Sequence, residues 1–104
     1  MTFMKTIAKK FVKRRFAVRV IKKDGKTEKF KAGKIAKSVE RAAEYAGKNR
    51  VKFRIIGGRI ARDVERRFRK AQEVRSSEIR NMVLAELEKE DKSVADEFRD
   101  FIKQ

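Results

Sequence analysis

Residues 16–30 read Phe-Ala-Val-Arg-Val-Ile-Lys-Lys-Asp-Gly-Lys-Thr-Glu-Lys-Phe, and this stretch decides the fold. Phe16, Val18 and Val20 alternate with Ala17, Arg19 and Ile21, which is the two-residue period of a strand. Asp24-Gly25 supplies a turn of type I′, whose two central positions both need positive φ. Lys26 to Phe30 is the return strand, so the stretch is a β-hairpin.

Working outward on the C-terminal side, the spacing predicts a helix over 33–46. Ile35, Val39, Ala42, Ala43 and Ala46 fall on one face, and Gly47 is a natural stop. Lys31, Lys34 and Lys37 crowd its first turns, with no Ser, Asp or Asn as N-cap. Cations there oppose the helix dipole, and a docked anion would relieve the conflict. Exposed lysines that swing away would cost only roughly a few tenths of a kcal/mol. Residues 51–56 alternate like a short strand, and Gly57-Gly58 reads as a break before a second helix over 59–72. Ile60, Val64, Phe68 and Ala71 make that helix's core stripe, and Arg59, Arg62, Arg66 and Arg69 recur on a different face. Ser76-Ser77 is expected to cap a third helix, with Ile79, Met82, Val83 and Leu87 inside. Ser93 is expected to cap a last one, with Val94, Ala95, Phe98, Phe101 and Ile102 inside. The expected fold class is α+β: a small β-hairpin or short sheet packed on a four-helix cluster.

On the N-terminal side, Phe3, Ile7 and Phe11 recur every four residues amid Lys5, Lys9, Lys10, Lys13, Arg14 and Arg15. Residues 1–15 therefore form an expected basic helical arm ahead of a domain over 16–104. Such a segment can lie on a membrane surface or in a partner groove, or direct the chain to an organelle. The favoured reading packs its Phe stripe on the domain and offers the basic face to nucleic acid.

The 104 residues hold 31 Lys+Arg against 15 Asp+Glu, a net charge of +16. Heat-adapted proteins are rich in Lys, Glu and Arg, which fits the 44% of charged residues but not the twofold excess of bases. Residues 1–75 carry +19 and residues 76–104 carry −3, so the charge marks a basic binding region backed by a mildly acidic scaffold. The chain has no Cys and no His, which excludes thiol nucleophiles, disulfides, zinc–thiolate sites and the commonest general base. Acid pairs such as Glu88/Asp91 and Asp96/Asp100 read as solvated helix faces. No apolar run is long enough to span a membrane. The chain is expected to be a cytoplasmic binding protein, not an enzyme, with no metal site and no required cofactor.

Val20-Ile21-Lys22-Lys23-Asp24-Gly25-Lys26-Thr27-Glu28-Lys29-Phe30, with Lys34-Ile35 after it, resembles the hairpin motif of the ATP-cone. That is the nucleotide-sensing domain of many ribonucleotide reductase large subunits and of the zinc-ribbon repressor of their genes. Val74 to Ile79 and Val94-Ala95 with Phe98-Arg99 and Phe101 are similar to the segments that lead into its third helix and close it. The resemblance covers about residues 16–103 and implies an ATP or dATP site. It implies that Val20 and Ile35 line the base pocket and that Lys22, Lys23, Lys34 and Ser76 reach phosphate. Glu28 and Lys31 would contact base or sugar. Position 23 is Lys where the family usually has Arg, position 31 is Lys in place of Asn or Asp, Gly33 replaces an acid, and Ser76 replaces Thr.

Two functions follow. The leading one is a small nucleic-acid-binding protein, with RNA slightly favoured over DNA and a ribosomal role among its forms. It would grip the phosphate backbone through Lys9, Lys10, Lys13, Arg14, Arg15, Arg50, Lys52, Arg54, Arg59, Arg62, Arg66 and Arg69. The alternative is an ATP- or dATP-sensing regulatory domain that acts through homo-oligomerisation or a partner protein.

Overall fold

The computed structural model describes residues 18–102. Three strands and four helices follow one another in this stretch. They are β1 (Arg19–Ile21), β2 (Thr27–Lys29), α1 (Ala32–Tyr45), α2 (Arg50–Phe68), β3 (Glu73–Arg75), α3 (Ser76–Glu90) and α4 (Lys92–Ile102). The chain is α+β as expected. The basic arm, including Lys9, Lys10, Lys13, Arg14 and Arg15, lies outside the described residues. None of the four helices is long and apolar enough to cross a membrane.

The hairpin forms, with Val20 opposite Glu28. Its turn differs from the expected type. Gly25 alone has positive φ (89°), and the Gly25 N–H donates to the Lys22 carbonyl at 2.9 Å. Lys22 and Lys26 therefore close a three-residue loop with glycine in the left-handed position, and Asp24 steadies it by accepting from the Lys26 N–H at 2.9 Å.

The sheet gains a strand that the sequence pattern does not announce. β3 pairs in parallel with β1, Val20 opposite Val74, so the order is β2-β1-β3. Val18, Val20 and Val74 are buried together beneath the sheet.

Residues 51–56 are not a strand, and Gly57-Gly58 is not a break. α2 runs unbroken from Arg50 to Phe68. The period-two alternation of 51–56 is outweighed by the helical spacing of Phe53, Ile56, Gly57, Ile60 and Val64, which are all buried on one face. Asn49 starts the helix by accepting from the Lys52 N–H at 2.9 Å. α1 ends as expected at Gly47 (φ 70°). The Lys48 N–H donates to Ala43 O at 2.9 Å and the Gly47 N–H to Glu44 O at 3.1 Å. The two helices then pack antiparallel and close.

The serine caps are also corrected. Ser76 is the first residue inside α3, and the Glu78 carboxylate accepts from the Arg75 N–H at 2.9 Å. Asp91, not Ser93, caps α4, accepting from the Ser93 and Val94 N–H groups at 2.8 and 3.2 Å. A carboxylate in these places also suits the positive end of a helix dipole. Partial burial works against the Asp91 charge, but the Val94 and Ser93 amides and Lys48 hold its carboxyl below the usual range.

The main core joins Val39, Ala42 and Ala43 to Phe53, Ile60, Val64, Val83, Leu87, Val94 and Phe98. Phe30, Phe68 and Ile79 touch both this core and the one beneath the sheet.

The two neighbouring glycines of α2 should respond oppositely to alanine. A Cβ at Gly57 would sit 3.0 Å from the Ala36 carbonyl oxygen and 3.2 Å from Val39 Cβ, whereas one at Gly58 meets nothing within 4 Å. Gly57→Ala should destabilise by about 1–3 kcal/mol through overpacking. Gly58→Ala should stabilise by about 0.5–1 kcal/mol through helix propensity. Thermal melts of the two variants check this; equal shifts of the same sign would contradict the continuous α2.

Candidate functional site

Among the described residues, Phe30, Phe68 and Ile79 join the two cores, and there is space between them. A cavity of about 170 Å³ opens there, walled by Val20, Phe30, Ile35, Ile79, Val83 and Phe98. Glu28, Lys31, Lys34, Ser38, Ser76 and Arg80 surround its mouth. Beside it lies a larger cleft of about 440 Å³, lined by Ile21, Lys22, Lys23, Gly25, Arg75, Ser76, Ser77 and Arg80. Ser76 and Arg80 line both spaces, so apolar cavity and cationic cleft adjoin across the first turn of α3.

Each side chain is placed by a different piece of local structure. β1 points Val20 at the cavity and hands the chain to Lys22 and Lys23 at the turn. β2 sets Glu28 opposite Val20. α1 begins at Ala32, which puts Lys34 and Ile35 in its first turn on the cavity side. The β1–β3 pairing, Ile21 opposite Arg75, brings the start of α3 against the hairpin. The α3 N-terminus, where the Glu78 carboxylate already accepts from the Arg75 N–H, borders the cationic cleft through Ser76 and Ser77.

All eight residues singled out for a nucleotide, Val20, Lys22, Lys23, Glu28, Lys31, Lys34, Ile35 and Ser76, are thus gathered around these two adjoining spaces. At the start of α1, Lys31, Lys34 and Lys37 are all exposed. Lys31 occupies the N-cap position of α1 without any side-chain cap bond. Lys34 turns to Glu28, its Nζ donating to Oε1 at 3.2 Å, while Lys22 Nζ stands 3.5 Å from Oε2. Hydrogen bonding from Lys34, aided by the charge of Lys22, holds the Glu28 carboxyl below the usual carboxylate range against its partial desolvation. Ser38, at the cavity mouth, spends its hydroxyl on the Lys34 carbonyl at 2.8 Å.

Arg80 is the site residue that sequence reasoning missed. It lies one turn beyond Ser76, half-buried, and lines the cavity and the cleft alike. Its one signal was a lone base four residues after Ser76, in a helix otherwise read as acidic scaffold. Among the described residues, neither Lys23 nor Arg80 has a carboxylate partner.

Among the described residues, none of the bases assigned to nucleic acid lines either space. Arg50 and Arg54 both bind Glu40, at 2.8 and 3.3 Å, which keeps that carboxyl low. Lys52 Nζ lies 5.9 Å from the centre of the Phe53 ring. Arg59 bonds Glu90 of α3 at 2.7 Å, and Arg66 is 3.9 Å from Asp63. Arg62 and Arg69 are exposed. Among the described residues no cluster of three acids could hold a metal ion.

A three-stranded sheet packed on four helices thus carries an apolar cavity that opens on a cationic helix start. The chain matches the ATP cone domain over residues 18–100 and belongs to that family, a nucleotide-sensing regulatory scaffold. Comparison with curated proteins finds no matching relative.

The Glu28 ion pairs give a pH signature. A carboxyl lowered on folding contributes stability that is full above its unfolded pKa and is lost as pH falls through the folded value. The difference in melting temperature between the parent and Glu28→Gln should be constant from about pH 6 to 8 and shrink as pH falls through and below the ordinary carboxylate range. Melts across that range check it, and a difference independent of pH would contradict the pairing.

Proposed function

We propose that the chain binds an adenine nucleotide, ATP or dATP, across the junction of the apolar cavity and the cationic cleft. The observation that carries this reading is the shared wall: Ser76 and Arg80 border both an apolar slot and a basic groove. A flat base suits the slot of Val20, Phe30, Ile35 and Ile79, where its faces leave water. A phosphate chain leaving the slot would pass over the α3 N-terminus, where backbone N–H groups and the dipole favour anions. Lys22, Lys23 and Arg80 stand around that path, and Arg80 offers the planar fork that suits phosphate oxygens. Glu28 occupies both Lys22 and Lys34 in the structure described, so a ligand that engages either lysine competes with an internal carboxylate.

The membership of the ATP-cone family supports the same ligand class. The role that fits is regulatory: occupancy alters how the chain associates with a partner or a second copy. No covalent chemistry on the nucleotide is required.

Calorimetric titration of the full chain with ATP and with dATP tests the reading. Binding is expected, and Lys23→Gln/Arg80→Gln should weaken it roughly tenfold or more by removing two phosphate contacts. Adenosine should bind far more weakly than either triphosphate. No heat with either nucleotide, or equal affinity in the variant, would overturn the assignment.

A further inference from the structure

The cationic excess of the chain is not used up by the nucleotide cleft. Of the ten bases between residues 50 and 75, eight are Arg; of the ten between 17 and 49, only two are. A surface tuned for solubility or heat has no reason to sort its cations this way. Arg is the cation whose planar fork fits phosphate oxygens and whose weaker hydration lets it leave water cheaply.

Four of these eight arginines, Arg59, Arg62, Arg66 and Arg69, fall along one side of α2 and its C-cap. The buried residues of α2, Phe53, Ile56, Ile60 and Val64, face the core. The opposite face opens with exposed Val51 and Ile55 and then turns basic at Arg59, Arg62 and Arg66, continuing to Arg69. Successive arginines are three or four residues apart, a rise of about 5 Å along the helix. The dipole of α2 accounts for Arg66 in the last turn, and it gives no reason for Arg59 and Arg62 further back. Local pairing is light: Arg66 meets Asp63 only at 3.9 Å, and no carboxylate among the described residues pairs with Arg62. Arg59 is held by Glu90, which fixes its position at the edge of the face.

We infer that the outward face of α2 is a second anion site, separate from the nucleotide cleft, that grips the phosphate backbone of a nucleic acid. The contact is electrostatic and phosphate-directed. The polymer that it takes is one with evenly spaced phosphates, and both DNA and RNA duplexes meet that condition.

Fluorescence anisotropy of labelled 20-base-pair DNA and RNA duplexes, titrated with the full chain over a series of salt concentrations, tests this. Binding should weaken steeply with salt. Arg62→Gln/Arg66→Gln should lower affinity roughly tenfold at low salt and flatten the logarithmic salt slope by about 2. Lys23→Gln/Arg80→Gln removes the same charge from the nucleotide cleft and should leave affinity within about twofold. The duplex bound more tightly identifies the source of the phosphates. Absence of binding to both duplexes at low salt would overturn the inference. So would equal losses in the two double variants, since binding would then follow net charge alone. Nucleotide affinity is read separately by calorimetry, so failure of this site and failure of the cleft are distinguishable.

Discussion

The parallel pairing of β1 with β3 is the constraint on which the rest depends. Each strand is three residues long, and the pairing joins segments more than fifty residues apart in the chain. Strands this short do not persist on ladder hydrogen bonds alone. What holds them is the burial of Val18, Val20 and Val74 beneath the sheet, tied to the helical core by Phe30, Phe68 and Ile79. Because β3 runs directly into α3, the pairing also fixes where that helix begins. It delivers Ser76 and Arg80 to the side of the hairpin that carries Lys22 and Lys23. Without it the apolar slot and the basic cleft would not adjoin.

The charge then divides by position. Lysines of the hairpin and α1 gather at the cavity mouth, two of them restrained by one carboxylate, Glu28. Arginines gather on α2, some tied to Glu40 and Glu90 and others turned outward. Eight of the fifteen acids fall in residues 76–104, where Arg99 bridges Glu88 of α3 and Asp96 of α4. Exposed pairs of this kind contribute little to stability. Their effect is to hold long side chains in place near two cationic surfaces. The net charge of +16 is thus two local excesses and an arm, not a uniform coat.

The sequence made the hairpin, α1, α3 and α4 legible because each carries a strong local period and a stop or start residue. Asp24-Gly25, Gly47 and the Ile79–Val83–Leu87 spacing are signals of that kind. α2 was misread because Val51 to Ile56 satisfies period two within six residues, and only the longer spacing from Phe53 to Val64 exposes the helix. Gly57 misled for a related reason: it is there to let α1 come close, a tertiary need that looks locally like a turn. β3 carried no usable signal, since Glu-Val-Arg has one apolar residue and its partner is distant. The nucleotide-site residues were legible through the hairpin motif and its family resemblance. Arg80 was not, because its place depends on where β3 puts α3.

The central claim is that one end of the molecule, where the hairpin meets the α3 N-terminus, binds an adenine nucleotide. Amide chemical shifts of the full chain, followed by nuclear magnetic resonance as ATP is added, test it most directly. The account predicts saturable changes at Val20, Lys22, Ile35, Ser76 and Arg80, with Arg62 and Arg66 on the outer face of α2 unmoved. Changes centred on α2, or none at the hairpin and α3, would contradict it.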